Sequence, residues 1–218
     1  MHALGRVRME QRRYDEVRTL VDEARALYTR RSEPDGAKTG DIENLLGEAE
    51  LGQGNHAAAL EAFGRSLQHR SRQLGEDSPW LAKDYRALAR THSAIGNLPL
   101  ALENLDRAIA IRAKAFGPDN AKVGPLWQVR GDIQREHGQL DDAVTSYSRS
   151  IEILEAAGAT NATVLARAHL GRALASAANE PNADGPNADD LAAARKYAAG
   201  LPDDVALHEA LVDANPSG

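Results

Sequence analysis

Several stretches of the sequence carry residues whose type and spacing could do chemistry. Gly52-Gln53-Gly54-Asn55-His56-Ala57 has the letters of GxGxxA, a turn whose glycines let the backbone cradle a pyrophosphate at a helix N-terminus. That turn has to follow a β-strand, whereas here it follows a helical stretch and recurs later as a helix-to-helix turn, so no nucleotide site is read from it. His208-Glu209 opens like a zinc-protease HExxH motif, but the fourth residue after His208 is Val212, which leaves no second ligand. Residues Glu180 to Gly185 resemble the first half of a calcium loop. The twelfth position then falls on Leu191 where a bidentate carboxylate is needed, and Pro181 and Pro186 suit a disordered loop. Asn161-Ala162-Thr163 is a glycosylation acceptor in letters only. The seven histidines are dispersed, and no GxSxG motif, phosphate loop or pair of cleft carboxylates occurs. With no cysteine, disulfides, thiolate zinc sites and cysteine nucleophiles are excluded. The expectation is a chain with no catalytic residues, no cofactor and no metal, and not an enzyme.

The elements that would position any site must be helical. Of 218 residues, 40 are Ala and 25 Leu against 16 Val and Ile together, and strong helix formers in that excess disfavour a sheet. The formal charge of −6 argues against nucleic acid as a partner. No apolar run approaches the roughly 20 residues that cross a bilayer, and Met1 to Val17 has no signal-peptide core. A cytoplasmic protein with no membrane association is expected.

The chain repeats itself. Gly5, Gly47, Ala89 and Gly131 stand 42 residues apart, with Gly171 following after 40, and Gly54, Gly96 and Gly138 keep the same 42-residue step. Val17, Ala59, Ala101 and Ala143 run in register with them, as do Val21, Phe63, Leu105 and Tyr147, and Ala24, Ser66, Ala108 and Ser150. Within one period, Leu88 and Ile95, then Leu98, Ala101, Leu105 and Ile109, fall at helical spacing on either side of Gly96-Asn97. Each period is therefore two antiparallel helices around a tight turn. The longer second helix ends at Gly75, Gly117 and Gly158, and a new helix opens at Asp77-Ser78-Pro79.

These residues resemble the tetratricopeptide repeat. Tyr85, Leu88, Ala89, His92, Gly96, Leu98, Ala101, Leu105 and Ala108 follow its large-small-large pattern, as do Trp127, Gly131, Gly138, Leu140, Ala143, Tyr147 and Ser150. The 42-residue period and the strings QLGEDSPWLA and AFGPDNAKVG are most similar to the kinesin-light-chain variety, which also occurs in C-terminal regions of large bacterial signalling proteins. Four units match well, over residues 1 to 178, and the departures are Glu43 where a large aromatic is usual, His56 at the turn, Arg130 at an apolar site and Pro125 near a helix start. The resemblance implies an all-α, right-handed superhelical α-solenoid of about five antiparallel helix pairs plus a C-terminal capping helix. It would form one domain over 1–218, with repeats at about 1–36, 37–77, 78–119, 120–159 and 160–200, a loop insertion at 179–190 and the cap at 203–214.

The resemblance also implies that the first helix of each pair lines a groove for a peptide or partner protein. By register the groove-facing sites are Arg6, Glu48, Arg90, Asp132 and Arg172, then one turn earlier His2, Asn44, Arg86, Gln128 and His169 or its neighbour Ala168, with Arg135 and Leu51 deeper. Two readings of these residues stand. Neighbouring repeats bridge the alternating charges, each exposed pair contributing about 0–1 kcal/mol; or Asn44, Arg86, Arg90, Gln128 and Arg135 form a polar, locally basic floor for a carboxylate-bearing peptide. The expected function is a non-catalytic interaction scaffold, a regulatory module of a larger bacterial signalling protein. Self-association through Trp80, Leu81 and the C-terminal helix, giving a homo-oligomer, is the alternative.

Overall fold

The computed structural model describes residues 2–29, 36–158, 161–179, 187–201 and 204–214. Among them the chain is all-α, with eleven α-helices, one 3-10 turn and no strand. In order these are α1 (His2–Glu10), α2 (Tyr14–Thr29), α3 (Gly36–Gly52), α4 (His56–Leu74), the turn Pro79–Leu81, α5 (Ala82–Ala94), α6 (Leu98–Phe116), α7 (Gly124–Glu136), α8 (Leu140–Ala156), α9 (Ala162–Asn179), α10 (Ala188–Ala198) and α11 (Val205–Asp213). They gather into two compact units, residues 1–111 and 112–218.

In the first unit the core is Val17, Val21 and Ala24 of α2 against Ile42, Leu45 and Ala49 of α3, a one-sided stripe on each helix. Phe63 of α4 is fully buried and lies against Gly47, where an added Cβ would come within 2.5 Å of the ring. This is the large-against-small contact that the 42-residue columns anticipate. The tight turn is fixed by backbone geometry: Gly54 and Gly96 sit at φ +78° and +79°, the left-handed region that costs an L side chain about 1–2 kcal/mol. Arg12, one period earlier, holds the same turn at φ +54° and is the one non-glycine with positive φ among the described residues.

The second unit repeats this packing and closes it. Ala143, Tyr147, Ile151 and Leu154 of α8 pack with Leu165, Ala168 and Ala175 of α9. Beyond them Ala166, Leu170 and Ala173 meet Leu191, Ala194 and Ala198 of α10, and Leu207 and Leu211 of α11 complete the cluster. Both last helices have side-chain caps: Asn187 accepts from the amides of Asp189 and Asp190, and Asp204 from that of Leu207. Much of the expected insertion, residues 180–186, lies outside the described residues.

The helix foreseen at Asp77-Ser78-Pro79 opens there, with Ser78 at the N-cap and Pro79 at the first position; its first turn, Pro79–Leu81, is 3-10 and runs directly into α5 at Ala82. Because that turn rotates successive side chains by about 120°, Leu81 points inward and is fully buried while Trp80 is 71% exposed; the two are not neighbours on one surface. On α11 the apolar residues likewise divide, with Leu207 and Leu211 buried and Val205 and Val212 exposed.

Candidate functional site

In the first unit, α3 and α5 place Asn44, Glu48, Arg86 and Arg90. Asn44 is fully buried, and its amide donates to Asp84 Oδ1 at 2.9 Å. Asp84, also fully buried, accepts from Ser66 at 2.8 Å and from Arg70 Nη1 at 2.5 Å, and Arg70 reaches Asp41 as well. Asn44 therefore belongs to a buried polar knot of α3, α4 and α5 and does not line an open floor, a correction whose cause is the aspartate that needs its donor. Glu48 and Arg90 are exposed and Arg86 is half-buried. Among the described residues, neither arginine has a hydrogen-bond or ion-pair partner. Burial and then the neighbouring charge of Arg90 push the Arg86 guanidinium below its ordinary value, with Glu48 as the opposing influence. Lys83, one turn before, is pushed down by burial and by Arg70, and its Nζ stands 3.8 Å from Asp41. α5 thus presents two cations one turn apart, Arg86 half-buried and Arg90 exposed, which repel each other with Glu48 as the opposing charge.

In the second unit, α7 carries Gln128, Asp132 and Arg135, and α9 carries His169 and Arg172. Asp132 accepts from the Tyr147 hydroxyl at 2.8 Å and from the Gln128 amide. Burial raises its carboxyl to about 6, against the hydrogen bond from Tyr147 and the charge of Arg135. Arg135 is half-buried, with its Nε unpartnered. On α9, Arg172 holds Asp190 by two bonds of 2.9 and 2.5 Å and reaches Ser148 at 3.1 Å. His169 is 5% exposed and engages the same aspartate at 2.8 Å. Burial alone would push the Asp190 carboxyl up; the bonds from His169 and Arg172 outweigh it and hold the group below the usual carboxylate range.

The placement changes both earlier readings. In this unit Asp132 and Arg172 turn to partners of their own, Tyr147 and Asp190, so the alternation of sign does not become a ladder between them. His169 and Gln128 are buried, like Asn44, and support other side chains. The side chains of His2 and Arg6 lie outside the described residues. Asp84, Arg70 and Asp190 organise these clusters and were not singled out from sequence. The column Ile42, Asp84, Leu126 carried the signal for the first: an aspartate in an otherwise apolar column has to find a buried donor.

Glu43, at the aromatic column, is 3% exposed and bonded by Arg25 at 2.8 and 2.7 Å and by Arg65 at 2.8 Å. An ion-paired carboxylate replaces the ring and joins α2, α3 and α4. Arg130 similarly stacks over Trp127 at 5.5 Å. Gly52 to Ala57 forms the α3–α4 turn, between two helices. His208 bonds the Leu201 carbonyl at 3.0 Å. Among the described residues, no group of three or more His, Cys, Asp or Glu is disposed to hold a metal ion, and no helix is long and apolar enough to cross a membrane.

The sequence profile of the tetratricopeptide repeat matches residues 1–70, 39–114 and 94–156. No curated protein matches the chain in sequence. Solved structures share its fold. BtubC (BKLC) from P. vanneervenii superposes with a TM-score of 0.76 at 18% identity, covering 91% of this chain and 78% of that one. A Podosopora anserina kinesin-light-chain-type protein of nearly identical tetratricopeptide-like repeats gives 0.69 at 19%, covering 92% and 95%. A point variant of it gives 0.70 at 19%, covering 91% and 93%.

Proposed function

Because the chain belongs to the tetratricopeptide repeat family, we propose that it is a non-catalytic scaffold that binds a peptide or partner protein along the first-helix faces of its helix pairs. The observation that carries the reading is Arg86 with Arg90: two arginines one helical turn apart, with no hydrogen-bond or ion-pair partner among the described residues and Glu48 as the opposing charge, one of them half-buried. Like charges at this spacing repel, and a carboxylate accepting from both would remove the repulsion through charge-assisted bonds. The partner segment therefore presents Asp, Glu or a C-terminal carboxylate to α5. Fluorescence anisotropy against a panel of acidic peptides and their Asn/Gln counterparts tests this: acidic members bind and lose affinity as salt rises, and equal binding of both sets would exclude it.

The five helix pairs and α11 are read as one repeat domain acting in the cytoplasm as the partner-binding module of a larger bacterial signalling protein. The resemblance to repeat regions of such proteins supports that setting, and the net charge of −6 supports a protein over a nucleic-acid partner. A second reading, self-association, is supported by Trp80, 71% exposed on its turn. Light scattering of the native chain and W80A distinguishes the two, since only self-association gives a native mass that rises with concentration and falls in the variant.

A further inference from the structure

His169 is a buried histidine with one ring nitrogen engaged and the other open. Its Nδ1 faces Asp190 Oδ1 at 2.8 Å, and since Arg172 holds that carboxylate ionised, Nδ1 carries a proton and donates it. Its Nε2 is buried and has no hydrogen-bond partner. The group in front of it is Glu155 Oε1, 3.5 Å away, on the last turn of α8. Tyr197 of α10 keeps the two together: its ring stacks on His169 at 5.8 Å and its hydroxyl lies 3.4 Å from the same Glu155 oxygen. With the imidazole neutral, a lone pair on Nε2 faces a carboxylate oxygen, acceptor against acceptor. A carboxylate in the last turn of a helix also opposes the helix dipole.

We propose that His169 is a proton-operated latch, in which a proton taken up at Nε2 closes a charge-assisted hydrogen bond to Glu155 and ties the end of α8 to the α9–α10 pair. The proton comes from water past the Glu155 side chain, which is 49% exposed, and no other bond is made or broken. The helices packed around α9 bring these charged and titratable groups to it. Arg172 of α9 is matched by Asp190 of α10, Glu155 of α8 is left as an excess negative charge, and Lys196 Nζ lies over the Tyr197 ring, 5.8 Å from its centroid. On α7, which also packs against α9, Asp132 is engaged by Tyr147 and Gln128, and at the α11 end Asp204 is engaged by Arg167. A metal ion is the weaker occupant, since His169 and Glu155 supply two ligands where zinc takes four and no third joins them among the described residues.

Hydrogen exchange of the full chain tests the latch, with amide protection in the last turn of α8 corrected for intrinsic rates at pH 8 and pH 5.5. Measurement in a D132N background removes the titration of Asp132. Protection of Ile153 to Ala157 is expected to rise about fivefold at the lower pH, as for a charge-assisted bond at a partly exposed site, and to stay level in E155Q. E155Q alters a half-exposed side chain and keeps the fold, which circular dichroism verifies. An equal rise in E155Q, or no rise with Glu155 present, overturns the proposal.

Discussion

Tyr147 donates its hydroxyl to Asp132 across 2.8 Å, joining α8 to α7. The bond does not offset what burial costs the carboxylate, whose proton is held up to about pH 6 against an ordinary 3.8. A carboxyl raised on folding binds its proton more tightly in the native state, so stability is lower above about pH 6 and rises as pH falls from 6 towards 4. D132N removes the charge and keeps an acceptor for Tyr147. It is expected to exceed the native chain by roughly 1–3 kcal/mol at pH 8 and to match it near pH 4, as urea denaturation at both values would show.

The ring of Tyr147 is held between two glycines. An alanine Cβ at Gly131 would lie 2.7 Å from Cδ1, and one at Gly171 would lie 2.7 Å from Cε1. G131A and G171A are each expected to lose about 1–3 kcal/mol through overpacking. Thermal unfolding reads the loss directly.

Arg12 occupies a turn position that glycine fills one, two and three periods later. Its side chain is exposed, so R12G relieves the left-handed strain at the cost of unfolded-chain freedom, for a net gain of about 0.5–1 kcal/mol. Denaturant midpoints of the two chains check this.

Glu43 is the ionised link between Arg25 and Arg65. Burial opposes the charge, the two arginines outweigh it, and the carboxyl lies below its ordinary value. Its contribution is present above the unfolded value of 4.5 and is lost as pH falls through the lower folded one. E43Q is expected to cost about 1–3 kcal/mol at pH 7, with arginines one-third exposed limiting the loss, and to flatten the acid limb of the stability profile.

The helices were legible in the sequence because one contact sets the period: a large side chain such as Phe63 against a small one such as Gly47, repeated every 42 residues. The turn glycines Gly54, Gly96 and Gly138 were legible from the same 42-residue step, and their positive φ is the reason the position favours glycine. The site was less so. Register alone put Asn44 and His169 on the exposed face of their helices, but which polar side chains turn inward depends on partners far along the chain, Asp84 for one and Asp190 for the other. Asp84 disturbs an apolar column and could have been noticed. Asp190 sits beyond an irregular segment in which the period is interrupted, so no column pointed to it.

Arg86 and Arg90 are the residues proposed to receive a partner's carboxylate. Calorimetric titration of an acidic peptide selected from the panel into the native chain and R86A, at low and physiological salt, tests this most directly. R86A is expected to lose about tenfold or more in affinity, a bidentate charge-assisted contact being removed, and to show a weaker salt dependence. Equal affinity and equal salt dependence for the two chains would contradict it.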